Sequence, residues 1–68
     1  MEETKNAIPV ERRMFIMNTL KENQSVQIKE LSESLSVSEA TVRRDLAVLE
    51  EEGALIRTHG GAVATTPR

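Results

Sequence analysis

From Pro9 onward the apolar residues recur at helical spacing. Val10, Phe15, Ile16, Met17 and Leu20 mark one segment. Ile16 and Leu20 stand four apart and Met17 and Leu20 three apart, the repeat of a helix with a wide apolar face. Pro9 suits the first helical position, where a missing N–H costs nothing. Glu11 near the start and Lys21 near the end suit the helix dipole. The pattern predicts a first helix from Val10 to about Asn23. Residues 1–8 are mixed polar without periodicity and predict a frayed start. Asn23-Gln24 reads as a turn, and Ser25-Val26-Gln27-Ile28 alternates polar and apolar as a very short strand does. Ile28, Leu31 and Leu35 then share one stripe and predict a second helix from about Ile28 to Leu35.

Ser36-Val37 makes the next connection without a glycine. Ser38 is a good N-cap, because its hydroxyl can accept an orphan N–H at the next helix start. Ser36 with Glu39 three residues on is a rival capping box. The third helix is predicted from about Glu39 to Glu52, and Gly53 stands where a glycine stops a helix. Leu55-Ile56-Arg57-Thr58 reads as a strand, with Ile56 toward the core. Gly60-Gly61 reads as a hairpin turn with positive φ, and Ala62-Val63-Ala64 as the returning strand. The fold class is therefore mostly α with a small β-hairpin: three helices, a short strand and a C-terminal hairpin. One domain is expected over residues 9–64, with 65–68 a tail or the start of a linker. There is no internal repeat and no low-complexity segment.

Composition narrows the function classes. The chain has 68 residues, and a domain of this size buries roughly 60% of its unfolded surface. It has no cysteine and one histidine, His59, which removes disulfides and zinc-finger ligand sets. No Gly-rich phosphate loop is present. The longest apolar runs are four residues, such as Met14-Phe15-Ile16-Met17, whereas a membrane helix needs about 20. So small a chain offers little room for a catalytic cleft, so no enzyme activity and no cofactor are expected. The net charge of −2 runs against a simple nucleic-acid reading. Binding uses local fields, however, and the charges are segregated. Acids gather at Glu50-Glu51-Glu52, and bases pair at Arg12-Arg13 and Arg43-Arg44.

The third helix separates these charges by face. With Val42 pointing inward, Leu46 lies about 40° to one side and Leu49 about 20° to the other. Ala40, Arg44 and Ala47 fall within about 40° of straight out, flanked by Thr41 and Arg43. Small residues let a helix approach a groove floor. Arginine takes guanine O6 and N7, or a phosphate, with paired hydrogen bonds. Ser38 and Thr41 suit phosphates, as do the free N–H groups of the helix start. The acidic run lies at the far end of the helix. Arg57 and His59, two apart, share one face of the strand, and a Gly60-Gly61 tip without side chains can pass close to a backbone. Taken singly, each feature has a plainer reading. An Arg-Arg pair is usually a solvated face, His59 and Gly60-Gly61 are usually turn residues, and Ser38 is a cap in any reading. Asp45, one or two residues from Arg43 and Arg44, reads as a structural residue that holds an arginine in place. Arg12 or Arg13 is a further candidate for phosphate, with pairing of one of them to Asp45 as the alternative. The combination, in this order, points to duplex DNA.

The same residues carry a resemblance. Arg12, Ile16 and Leu20, a spacer from Lys21 to Val37, then Ser38 and Thr41-Val42-Arg43-Arg44-Asp45-Leu46 fit the spaced pattern of the DeoR-type winged helix-turn-helix of bacterial transcription repressors. Arg57-Thr58-His59-Gly60-Gly61-Ala62 is similar to that family's wing. The resemblance covers about residues 9–64. It implies sequence-specific binding of a double-stranded DNA operator in the bacterial cytoplasm, at the nucleoid. It also implies repression of a sugar or nucleoside catabolism operon, and homo-oligomers of the full-length protein. A phosphorylated sugar effector would bind a C-terminal domain beyond this fragment. The DNA-contacting set expected from the helix face and the hairpin is Ser38, Ala40, Thr41, Arg43, Arg44, Arg57, His59 and Gly60. The competing expectation is a winged helix that binds a protein partner through the same helix or wing.

Overall fold

The computed structural model describes residues 8–65. In chain order these form α1 (Val10–Asn23), β1 (Ser25–Gln27), α2 (Ile28–Leu35), α3 (Glu39–Glu51), β2 (Leu55–Thr58) and β3 (Gly61–Ala64). This is a winged helix-turn-helix. Its sheet is antiparallel with the order β1-β3-β2, so the returning strand of the hairpin lies in the middle. Ala62 is opposite both Val26 of β1 and Arg57 of β2.

Ile16 and Leu20 of α1, Leu31 of α2 and the inner stripe of α3 close over that sheet. Val42, Leu46 and Leu49 are fully buried, as the periodicity predicts, with Val26, Leu55 and Ala62 beneath them. Each large aliphatic side chain buried here contributes about 1.5–3 kcal/mol. The apolar face of α1 is narrower than its pattern: Val10, Met14 and Phe15 stay exposed while Met17 packs against the core.

Helix ends explain the short connections. Gln24 (φ 70°) and Ser36 (φ 58°) close α1 and α2 in the left-handed region. Ser36 takes that conformation without being glycine, at a cost of about 1–2 kcal/mol. It thus ends α2 and does not cap α3. The capping box from Ser36 to Glu39 is not formed, and the cap is Ser38, whose Oγ accepts the Thr41 N–H at 3.1 Å. At the far end of α3, Ala54 N–H reaches Leu49 O and Gly53 N–H reaches Glu50 O, both at 2.9 Å. This is the Schellman pattern, with Gly53 at φ 81°.

Four further expectations change in detail. Pro9 is the N-cap of α1, one residue before its first helical position. Ile8, grouped by its polar neighbours with the frayed start, is buried against the core; residues 1–7 lie outside the described residues, as do 66–68 of the tail. Leu55, 1% exposed, faces the core, whereas Ile56 is 50% exposed: the strand has the alternation but the opposite phase. The hairpin turn is His59-Gly60, since Thr58 pairs with Gly61, and neither Gly60 nor Gly61 has a positive φ. Gly61 is required for another reason. A Cβ there would sit 1.9 Å from the Val26 carbonyl oxygen, because β1 runs against this central strand.

Candidate nucleic-acid interface

Helix α3 reaches the surface by its first two turns. The Ser38 hydroxyl accepts from the Thr41 N–H and donates to Thr41 Oγ1 at 3.1 Å. Ser38, Ala40 and Arg44 are exposed and Thr41 is half-buried, so the helix start presents two hydroxyls, a methyl group and a guanidinium together. Ala47, one turn on, is half-buried. Arg44 makes no ion pair with a described residue, whereas each of the other described arginines does.

Those pairs sort the arginines by task. Arg12 of α1 grips Asp45 with Nε on Oδ2 and Nη2 on Oδ1 at 3.2 Å. The Asp45 side chain is 4% exposed and that of Arg12 21%. A carboxylate so buried is tolerable because it is paired and hydrogen-bonded. The arginine that Asp45 holds is therefore Arg12 and not the adjacent Arg43 or Arg44, and the pair fastens α1 to the inner face of α3. Arg13 pairs with Glu52 on the surface. Arg43 meets Glu39, one turn before it, at 3.4 Å, with both side chains about half exposed. Such a pair is weak and readily exchanged.

The hairpin stands beside the same helix. Between them lies an open cleft of about 300 Å³, bordered by Arg43, Glu50, Arg57 and His59. Arg57 Nε donates to Glu50 Oε1 at 3.0 Å, and the Arg57 backbone N–H to Glu50 Oε2 at 3.3 Å. His59 and Gly60 are exposed at the turn. The Gly60 carbonyl accepts from Ile28 N–H at 2.9 Å and ties the turn to the start of α2. Nothing lies within 4 Å of the Cβ position at Gly60, so the outer side of the turn is open.

The sequence-derived residues thus form two adjoining groups. Ser38, Ala40, Thr41 and Arg44 share the helix start. Arg43, Arg57 and His59 border the cleft, with Gly60 at the hairpin tip. Sequence reasoning named Asp45 as an arginine's partner but missed Glu39, Glu50 and Glu52. Glu39 and Arg43 were legible as an i, i+4 pair. Glu50 and Arg57 were not, because a helix end and a turn separate them. The acidic run does not simply stand apart: Glu50 and Glu52 are engaged in ion pairs. Among the described residues no group of three His, Asp or Glu side chains is placed to hold a metal ion, and no helix is long and apolar enough to cross a membrane.

Residues 12–68 match the family model described as a DeoR-like helix-turn-helix domain. The chain is 46% identical over 55 residues to the transcriptional regulator GolR of Listeria innocua, covering 81% of this chain and 22% of that protein. It is 45% identical over 60 residues to the putative aga operon transcriptional repressor of Escherichia coli O157:H7, covering 84% and 22%. It is 49% identical over 47 residues to the lactose phosphotransferase system repressor of Lactococcus lactis, covering 69% and 18%. The chain spans about a fifth of the length of these curated relatives. No solved structure gives a significant match.

Proposed function

This chain belongs to the DeoR-like helix-turn-helix family of DNA-binding transcriptional regulators, and from that premise we propose that residues 9–64 read a double-stranded DNA operator through the first half of α3. One observation carries the reading: Arg44 projects from the outer face of that helix, beside Ala40, with no acidic partner among the described residues. Ala40 lets the backbone approach the floor of the major groove, and the guanidinium offers two donors to a guanine edge. Thr41 and Arg43 flank it. Ser38 takes a phosphate at the helix start, where free N–H groups add their own attraction. Arg57, His59 and Gly60 hold the backbone from the wing.

The wider role is a repressor of a sugar or nucleoside catabolism operon, acting in the cytoplasm at the nucleoid as a homo-oligomer. A phosphorylated sugar would release it through a separate C-terminal domain. Support for the sugar comes from one relative's name, the lactose phosphotransferase system repressor. Oligomers on repeated half-sites would add the effective concentration that a single small domain lacks.

A backbone amide NMR titration with a DNA duplex of mixed sequence, at low and then moderate salt, tests the interface. The expected outcome is shifts confined to residues 38–44 and 57–61 that fade as salt rises. Absence of shifts at low salt would refute duplex binding and favour a protein partner for the same face.

A further inference from the structure

Glu50 makes an unexpected neighbour for a DNA-binding wing, since a carboxylate there repels phosphate. Its geometry gives it another task. Strand β3 lies in the middle of the sheet, so the outer edge of β2 is left with N–H groups that no strand pairs. One Glu50 oxygen accepts the N–H of Arg57 at 3.3 Å, and the other accepts its Nε at 3.0 Å. Through this fork one α3 side chain holds both the backbone and the side chain of a single wing residue. Only Nε of the guanidinium is used. The two terminal nitrogens make no hydrogen bond with a described residue, and Arg57 borders the cleft that Arg43 and His59 also line.

We propose that Glu50 is a positioning residue: it fastens the wing to the reading helix and presents the terminal nitrogens of Arg57 to a DNA phosphate seated in the cleft between them. A guanidinium held at Nε keeps the two donors that bind phosphate and forgoes the rotamer freedom that a loose side chain would lose on binding. The fork also fixes the spacing between the contacts made by α3 and those made by the hairpin. This rests on the DNA-binding reading above.

The test keeps charge constant. Glu50→Asp retains the carboxylate but is one methylene too short to reach Arg57. Affinity for a mixed-sequence duplex is followed by anisotropy across a salt series, for Glu50→Asp, Arg57→Ala and the double variant. Circular dichroism checks that each is folded, and the Arg57 Nε–Hε NMR signal reports the fork without DNA. Glu50→Asp is expected to shift that signal, to weaken binding about three- to tenfold and to lower the salt slope by about 0.9, the share of one phosphate contact. It should change nothing further once Arg57 is alanine. Unchanged or tighter binding by Glu50→Asp overturns the positioning role and leaves the DNA-binding reading standing. So does a loss of the same size in the Arg57→Ala background. A wild-type chain with no salt-dependent duplex affinity overturns both.

Discussion

Helix α3 carries two faces with opposite treatments of charge. On the inner face Asp45 is buried among Val42, Leu46 and Leu49 and held by Arg12 from another helix. On the outer face Arg44 stands in solvent without a partner among the described residues. The two residues are adjacent in sequence, and 100° of helix rotation separates them. The difference teaches how one helix serves the fold and a ligand at once. A buried charge that is satisfied within the protein has nothing left to offer outside it, and an unsatisfied one is tolerable only where water or a phosphate can reach it.

The comparison is sharpened most by removing the inner charge. Asp45→Ala leaves Arg12 without its partner. The expected loss of folding stability is about 2–3 kcal/mol, below the value for a fully buried pair because Arg12 can turn toward water. Urea denaturation followed by circular dichroism measures it, and a loss below about 0.5 kcal/mol would show that the pair does not hold α1 to α3. The adjacent change should do the reverse. Arg44→Ala is expected to weaken binding to the preferred operator by about 1–3 kcal/mol and to relax sequence preference, with stability unchanged to within about 0.5 kcal/mol. Anisotropy against matched and scrambled duplexes, beside the same denaturation curve, checks both halves. A stability loss as large as that of Asp45→Ala would erase the distinction between the faces.

Ser38 lies where the two tasks meet, since its hydroxyl both caps α3 and faces outward. Ser38→Ala should cost about 1 kcal/mol of stability together with a uniform loss of affinity across sequences. Thermal melting and salt-series binding of one variant separate the two effects. The smallest change runs in the stabilising direction. Ser36→Gly relieves a left-handed conformation at the end of α2 and should add about 0.5 kcal/mol, strain relief outweighing the entropy that glycine adds to the unfolded chain. A lower denaturation midpoint for this variant would contradict that account.

Much of this was readable in the residues. The 3.6-residue repeat located all three helices and the buried stripe of α3, because a helix face depends only on spacing. Ser38 and Gly53 marked the ends of α3, because capping is local hydrogen-bond chemistry. The phase of β2 was not readable: Leu55 and Ile56 are both apolar, and only the cover from α3 decides which of them is buried. The same limit hid the role of Gly61. Its sequence context reads as a turn, while its need for glycine comes from β1, more than 30 residues earlier in the chain.

The sequence by itself determined what short-range rules govern: the helices, their caps, the apolar stripe and the outward direction of Ala40 and Arg44. Tertiary structure decided which charges distant along the chain cancel. Arg12 and Asp45 are 33 residues apart, and no periodicity along the chain relates them. They meet because α1 and α3 bury apolar faces against the same core, which brings their flanking charges within reach. Glu50 and Arg57 meet because the Schellman turn at Gly53 folds β2 back beside α3. Only after these pairs are made does Arg44 emerge as the described arginine with no ion-pair partner, and that selection is a product of packing.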